Sequence, residues 1–276
     1  MQHLLSKSFY AKLLSVHRVT SNRGSKTAGI DQEIWKTDEQ KTQGLCQLKA
    51  RGYKPQALRR IYIQKSSSNK KRGLSIPTMK DRAMQALYLL TLEPVSEELA
   101  DKSSYGFRPK RSAHDAIAYC RVCLNQDNRA KWVLDADIEG CFDNISHDWL
   151  LNNIPMNKTI LKKWLQSGYI YKEKYASEDK GTPQGGIISP VLANLTLDGL
   201  QNHLRKNSHK QDKINLIRYA DDIVVTGRSK EILQERVIPA IKNFLSVRGL
   251  NLSKEKTKIR LFSLSCWSDT QHLKSL

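Results

Sequence analysis

Acid is what this sequence has too little of. Against 46 Lys and Arg stand only 27 Asp and Glu, a formal net charge of +19 over 276 residues, and the first acidic residue is Asp31. Such a deficit points away from cationic partners and towards a polyanion, nucleic acid first, because cations that neutralise phosphates release the condensed counterions. Cysteine is also scarce: five, an odd number, at positions 46, 120, 123, 141 and 266. Without a framework spacing and without a signal peptide they exclude a disulfide-stapled secreted domain. The expectation is a reducing, intracellular setting, a bacterial cytoplasm or an organelle interior. Cys120 and Cys123 form a lone Cys-x-x-Cys with no second Cys or His pair at zinc spacing. They share an apolar helical face with Ala113, Ala116, Ile117 and Leu124, which reads as core. No apolar run reaches the ~20 residues that cross a bilayer, so the expectation is a soluble chain with no membrane partner. No repeat or low-complexity linker marks a boundary, and 39% hydrophobic with 26% charged residues excludes a disordered or fibrous class.

What is present is a mixed pattern. Residues 4 to 19 have helical periodicity and carry Lys7, Lys12 and Arg18, with Arg23 and Lys26 following. This reads either as an organelle transit peptide or as a structural helix that contacts nucleic acid. "GSKTAGIDQ" reads as a loop, "LRRIYIQ" as a short strand, and "KSSSNKKRG" as a basic hairpin turn ended by Gly73. "KDRAMQALYLLTLEPVSEELA" predicts a helix interrupted near Pro94. In "FRPKRSAHDAIAYCRVCL" Ser112 and Asp115 give a Ser-x-x-acid start signal for the next helix.

Beyond residue 130 the period shifts to two. "KWVLDADIEGCFDNI" opens as a strand with Leu134, Ala136 and Ile138 on one face and Val133, Asp135 and Asp137 on the other. "SHDWLL" starts a helix capped by Ser146, and "GTPQGGIISPVLANLTLDGL" is a Gly-rich loop entering a helix with Ser189 as its cap and Pro190 in its first turn. In "INLIRYADDIVVTG" two apolar strands flank Ala220, Asp221 and Asp222, a β-hairpin with acids at its turn. A lone Asp-Asp at a turn is ordinarily a polar turn and nothing more. Asp137, ending a second strand with no basic neighbour beside it, changes the reading. Three carboxylates at one sheet edge repel unless hard cations neutralise them, and oxygen-only ligands select Mg²⁺, with Mn²⁺ as substitute.

Five blocks in order, "RGLSIPTMKDR", "YGFRPKRSAHDAI", "DIEGCFDNI", "GTPQGGIISPVLANL" and "RYADD", make the sequence resemble the reverse transcriptases encoded by group II introns. The resemblance runs from "LLSKSFYAKLLSVHRVTSNRGSKTAGID" to "GLNLSKEKTKI", nearly the whole chain. It implies an α+β fold with the fingers and palm of a right-hand polymerase, without a thumb. Fingers are expected over residues 1–130, partly interleaved with the palm, the palm with its catalytic hairpin over 131–262, and a divergent tail over 263–276. It implies RNA-templated DNA synthesis by two-metal nucleotidyl transfer with two Mg²⁺ ions. The partners implied are an RNA template, the intron RNA, a DNA primer and deoxynucleoside triphosphates. The runner-up is an RNA-binding splicing cofactor that does no chemistry.

By position, the resemblance makes Asp137, Asp221 and Asp222 the catalytic and metal-binding acids, with the Ile138 carbonyl completing the shell. Phe142 would lie under the incoming sugar and reject a ribose 2′-hydroxyl. Lys65 and Arg72 would reach the triphosphate, and Gln184 would lie beside nucleotide and template. Arg108 and Arg111, ahead of a helix start, and Lys256 would contact nucleic acid. Two departures stand out. Gly73 and Ser75 replace the family's Pro and Gly, which predicts a softer finger loop. "RLFSLSCWSDTQHLKSL" matches none of the strand, thumb or nuclease segments that follow in the family, so a truncated reading frame with poor processivity is expected.

Overall fold

The computed structural model describes residues 2–64, 71–124 and 130–262. Lys65, the remainder of the basic turn as far as residue 70, and the tail 263–276 lie outside the described residues. Two compact units share the chain: Met1–Glu98 with Ile145–Leu192, and Leu99–Asn144 with Ala193–Leu276. Residues 145–192 thus fold with Met1–Glu98 in the first unit. Eight strands are described: β1 (Leu58–Gln64), β2 (Lys71–Ile76), β3 (Trp132–Asp137), β4 (Tyr169–Tyr171), β5 (Lys174–Ala176), β6 (Asn215–Tyr219), β7 (Asp222–Gly227) and β8 (Lys258–Leu261).

The first unit holds the sheet β2-β1-β4-β5. β1 and β2 are antiparallel from Arg59↔Ile76 to Gln64↔Lys71, so Lys71, Arg72 and Gly73 belong to a strand rather than to the turn in which the sequence placed them. The ladder explains the shift: each residue of a paired strand satisfies backbone groups that a turn leaves to water. Helix Met79–Leu99 is buried over most of its length, with Ala83, Met84, Ala86, Leu87, Leu89 and Leu92 all at 2% exposure or less and the polar Asp81, Arg82 and Gln85 buried beside them. It runs through Pro94 instead of stopping there. Losing one amide bond near its end costs less than exposing the buried turns on either side, Leu92 and Ser96 included. The predicted helix over 4–19 is two, Gln2–Leu5 and Phe9–Ser21, separated where Ser8 is extended at ψ 134°.

The second unit holds the antiparallel sheet β6-β7-β3-β8. One face carries Leu134, Ala136, Leu216, Ile223 and Val225, all buried, below the helical stretch that buries Leu233, Val237, Ile241 and Leu245. On the other face, helix Ala113–Leu124 packs Ala116, Cys120, Cys123 and Leu124 against Ile217, Val133 and Val224. The two cysteines are core residues, as their spacing indicated. Its start is the predicted box: the Ser112 amide donates to Asp115 at 2.7 Å and the Asp115 amide to Ser112 Oγ at 3.4 Å. Among the described residues no helix is long and apolar enough to cross a membrane.

Candidate active site

The second unit sets the three predicted acids at neighbouring backbone positions on one sheet edge. β6 and β7 are joined by a two-residue turn, Ala220 and Asp221, with Ala220 at φ 55°, the left-handed geometry that tight hairpin turns require. Asp222 opens β7, pairing with Tyr219 on one side and with Asp137, the last residue of β3, on the other. Antiparallel partners have Cα atoms about 5 Å apart and share a face, so the register sets these two carboxylates side by side. Beyond Asp137 the chain bridges Ile138 to Leu252, and the flanking bonds run from Ser253 N to the Asp137 carbonyl at 2.8 Å and from Glu139 N to the Asn251 carbonyl at 2.9 Å. Neither of those bonds uses the Ile138 carbonyl.

Burial and neighbouring charge both act on Asp222. Desolvation, then the charges of Asp221 and Asp137, push the Asp222 carboxyl up to about 7 even though the residue keeps access to solvent. Lys256 opposes this, its Nζ lying 2.9 Å from Asp137 Oδ2, and its own pKa is raised by that bond and by the three acids. Among the described residues no group of three or more His, Cys, Asp or Glu side chains is gathered closely enough to hold a metal ion. The chemistry of the donor set nevertheless fits a hard divalent cation: oxygen donors only, two of them on paired strands and one in the adjoining turn, with Asp137 and Asp221 disfavouring charge on Asp222. A cation entering at Asp137 would displace Lys256.

Beneath the turn lies a charged framework that sequence reasoning missed. Arg218 is fully buried and sends Nη2 to Asp198 Oδ1 at 2.5 Å and Nη1 to Asn194 Oδ1 at 3.0 Å and the Ala220 carbonyl at 3.3 Å. Burial pushes the Asp198 carboxyl up to about 6 despite the guanidinium beside it. The signal was available: in "INLIRY" the alternation that sends Leu216 to the core sends Arg218 there too.

Phe142 sits in the short helix Cys141–Asn144, buried, with its ring edge-on to Phe107 at 6.1 Å between centroids. Phe107 is half exposed and has φ 58°. Arg108 is buried and gives Nη1 to the carbonyls of Asp101 and Ser104, both at 3.0 Å. Arg111 gives its Nη1 to Lys102 O at 2.7 Å and Ser104 O at 3.1 Å. Both guanidinium groups, predicted to face phosphate, thus staple the 101–104 loop.

In the first unit, Arg72 and Gln184 meet each other. Arg72 Nε donates to Gln184 Oε1 at 2.5 Å, and the Gln184 carbonyl accepts from Ser75 N at 2.7 Å. Gly185 at φ 110° lets this loop lie on β2, since a Cβ there would meet Ser75 O at 2.6 Å. Lys65 falls outside the described residues.

Comparison with known proteins gives the family. The family described as reverse transcriptase (RNA-dependent DNA polymerase) matches residues 63–274, and the N-terminal domain of reverse transcriptase matches residues 1–48. The chain is 36% identical over 281 residues to the group II intron-encoded protein LtrA of Lactococcus lactis subsp. cremoris, covering 98% of this chain and 45% of that protein. It is 30% identical over 294 residues to Protein YkfC of Escherichia coli (strain K12), covering 90% of this chain and 76% of the relative. The chain therefore spans less than half the length of LtrA. Among solved structures, apo telomerase from Candida tropicalis matches with a TM-score of 0.56 at 13% identity, over 77% of this chain and 45% of that one, a likeness of fold.

Proposed function

The chain belongs to the reverse transcriptase family, in the branch encoded by group II introns, and on that footing we propose that it is an RNA-directed DNA polymerase whose acids are Asp137, Asp221 and Asp222. One observation carries the reading: the β3–β7 register that sets Asp137 opposite Asp222, with Asp221 in the adjoining turn. Asp137 and Asp221 are the principal holders of two Mg²⁺ ions, or of Mn²⁺ in their place, with Asp222 beside them and the Ile138 carbonyl completing the shell. Bound there, such ions neutralise the triphosphate and lower the barrier to attack by the primer 3′-hydroxyl.

The chain's own groups do the rest. Asp137, bonded to Lys256 at 2.9 Å, would hold the cation in place of that bond, and the Lys256 ammonium would then be available to phosphate. Phe142, locked by its burial and by Phe107, holds an aromatic wall against which a ribose 2′-hydroxyl would clash, so deoxynucleotides are selected. Arg72, bonded to Gln184, turns to the triphosphate, with Lys65 as its companion, and Gln184 is released to nucleotide and template. The primer is DNA, the template RNA, and the intron's own RNA is the long-term partner of the basic surface. Arg111 remains open enough to meet it, whereas Arg108 acts through the loop it holds.

A second reading, an RNA-binding splicing cofactor without chemistry, draws on the net charge of +19 and on the Lys256 ammonium that already compensates Asp137. Primer extension on an RNA template with deoxynucleotides and Mg²⁺ separates the two. The wild-type chain should extend the primer, and Asp221→Ala should lose at least ~10³-fold in rate while keeping RNA affinity. No extension by either protein, with RNA affinity intact in both, would establish the cofactor reading instead.

A further inference from the structure

The polymerase reading of Asp137, Asp221 and Asp222 leaves open what aims two of those side chains, and the answer lies under the turn that carries them. Ala220 holds a positive φ of 55°, a state disfavoured for a residue with a side chain, so the turn needs support from outside itself. Support comes from two directions. On one side, Gly106 presses against it: a Cβ at Gly106 would stand 2.3 Å from Ala220 N, a contact only glycine permits. On the other, Arg218 Nη1 donates to the Ala220 carbonyl at 3.3 Å. Asn194 ties the two supports together, giving Nδ2 to the Gly106 carbonyl at 2.9 Å and accepting on Oδ1 from Arg218 at 3.0 Å.

The Arg218 backbone is fixed as well. Its amide donates to the Ser103 carbonyl and its carbonyl accepts from Tyr105 N, both at 2.9 Å, so β6 is gripped along its free edge by the segment leading to Gly106. Asp198 holds the far end of the guanidinium at 2.5 Å and is held in turn by the Asp101 amide at 3.3 Å. We infer that Arg218 is a positioning residue for the catalytic turn, acting with Asn194 and Asp198 as a buried bracket that fixes the Ala220–Asp221 peptide and so the aim of the Asp221 and Asp222 carboxylates.

Stability alone does not explain the bracket. A fully buried ion pair can be replaced by well-packed apolar residues at little or no cost, and Leu216 shows what this face of β6 otherwise carries. Nor is the pair saturated: Arg218 Nε and Asp198 Oδ2 are buried without a hydrogen-bond partner. Of the three acceptors that Arg218 does reach, one is in the turn and one belongs to the residue that bonds Gly106. The guanidinium is needed for direction. No apolar residue can donate to the Ala220 carbonyl.

The test uses this chain carrying Arg218→Met together with Asp198→Leu, which removes both charges at once, with Asn194→Ala and Arg218→Lys alongside. Circular dichroism and melting establish the fold. Amide hydrogen exchange over 219–223, measured without metal, reports the turn directly, and Mn²⁺ titration followed by electron paramagnetic resonance reports the acids. Single-turnover nucleotide addition separates rate from deoxynucleotide half-saturation. In the folded double variant, turn exchange should rise at least ~10-fold and Mn²⁺ affinity fall about 10-fold. The rate should drop about 100-fold with half-saturation little changed, as expected for misaimed groups. Arg218→Lys should restore only part, since one ammonium cannot reach all three acceptors. Wild-type exchange and wild-type Mn²⁺ affinity in a folded double variant would overturn the bracket. Should that variant not fold, Asn194→Ala decides, a smaller shift in the same direction supporting it and no shift refuting it. A wild-type chain that binds Mn²⁺ but adds no nucleotide would refute the polymerase reading alone, because exchange and Mn²⁺ affinity still judge the bracket.

Discussion

The two hairpins of this chain hold their charged groups in opposite ways. β1 and β2 are exposed towards their shared tip, and their cations are met by side chains: Arg60 stacks over Tyr169 at 3.9 Å and pairs with Glu178, and Arg72 reaches Gln184. β6 and β7 are buried along most of their length, and the acids at their turn are held by backbone register and by a guanidinium with no exposure. The first arrangement suits an anion that comes and goes, because side-chain partners can be exchanged at small cost. The second suits cations that must be met by fixed oxygens, because like charges stay close only where the fold prevents their retreat. One hairpin is an adjustable hand and the other a rigid seat.

Glycine substitution sharpens that contrast most. At Gly106 a Cβ would meet backbone, Ala220 N at 2.3 Å, and neither partner has anywhere to go. Gly106→Ala should lose about 2 kcal/mol or more of stability and at least ~10-fold in nucleotide addition, as overpacking against a fixed wall does. At Gly73 the nearest atom is Arg60 Nη1 at 2.8 Å, the far end of a flexible side chain. Gly73→Ala should stay within about 0.5 kcal/mol of wild type and gain from the stiffer unfolded chain. Urea melts of both variants, with single-turnover rates, check the pair; equal losses would mean that the two hairpins are equally rigid.

A smaller effect separates Phe142 from Arg72. Phe142 is buried against Phe107 in the unit that carries the acids, so Phe142→Val should open space for a 2′-hydroxyl and raise ribonucleotide use about 10-fold, a pocket-sized discrimination. Arg72→Ala should instead weaken deoxynucleotide half-saturation by up to about 10-fold and leave sugar choice alone. Incorporation assays with paired ribo- and deoxynucleotides distinguish them. If Arg72→Ala alters sugar choice, the division of labour is wrong.

Legibility in the sequence followed the same divide. The period-two alternation of β3 and of the β6–β7 hairpin, and the start signals at Ser112 and Ser146, were readable because each is a local rule enforced by burial or by a cap. Met79–Leu99 was misjudged at Pro94 because the packing that carries a helix through a proline is not written beside it. The strand character of Lys71 and Arg72 was hidden by turn-like composition, and only the ladder with β1 overrides it. In sequence Arg218 is one more cation in a basic chain. Its register phase marked it as buried, but its partners Asp198 and Asn194 come from a different block, joined to it only by the fold. Asp137 and the Asp221–Asp222 turn were legible as neighbours at one sheet edge, whereas the bond from Lys256 to Asp137 spans 119 residues and no spacing rule reaches it.

The smallest expected effect tests whether the rigid seat is strained. Asp222 titrates near 7 in the folded chain, whereas an unfolded Asp titrates near ~4. Between those values the folded chain holds a proton that the unfolded chain has released, so stability must fall as pH rises through that window. Below it the penalty is absent, and above it the penalty is complete. Solvent access at Asp222 screens the repulsion and brings the penalty to the order of 1 kcal/mol. Asp222→Asn removes it, so in chelator the variant should match wild type near pH 4 and melt higher near pH 8. Other buried acids, Asp198 among them, cancel from that difference because both proteins carry them. Mg²⁺ at pH 8 should narrow the gap by stabilising wild type more, since a cation that binds only the folded acids adds to stability by mass action. Parallel curves across the whole pH range, with no response to Mg²⁺, would show that the three acids do not strain one another and that the seat is an ordinary polar turn.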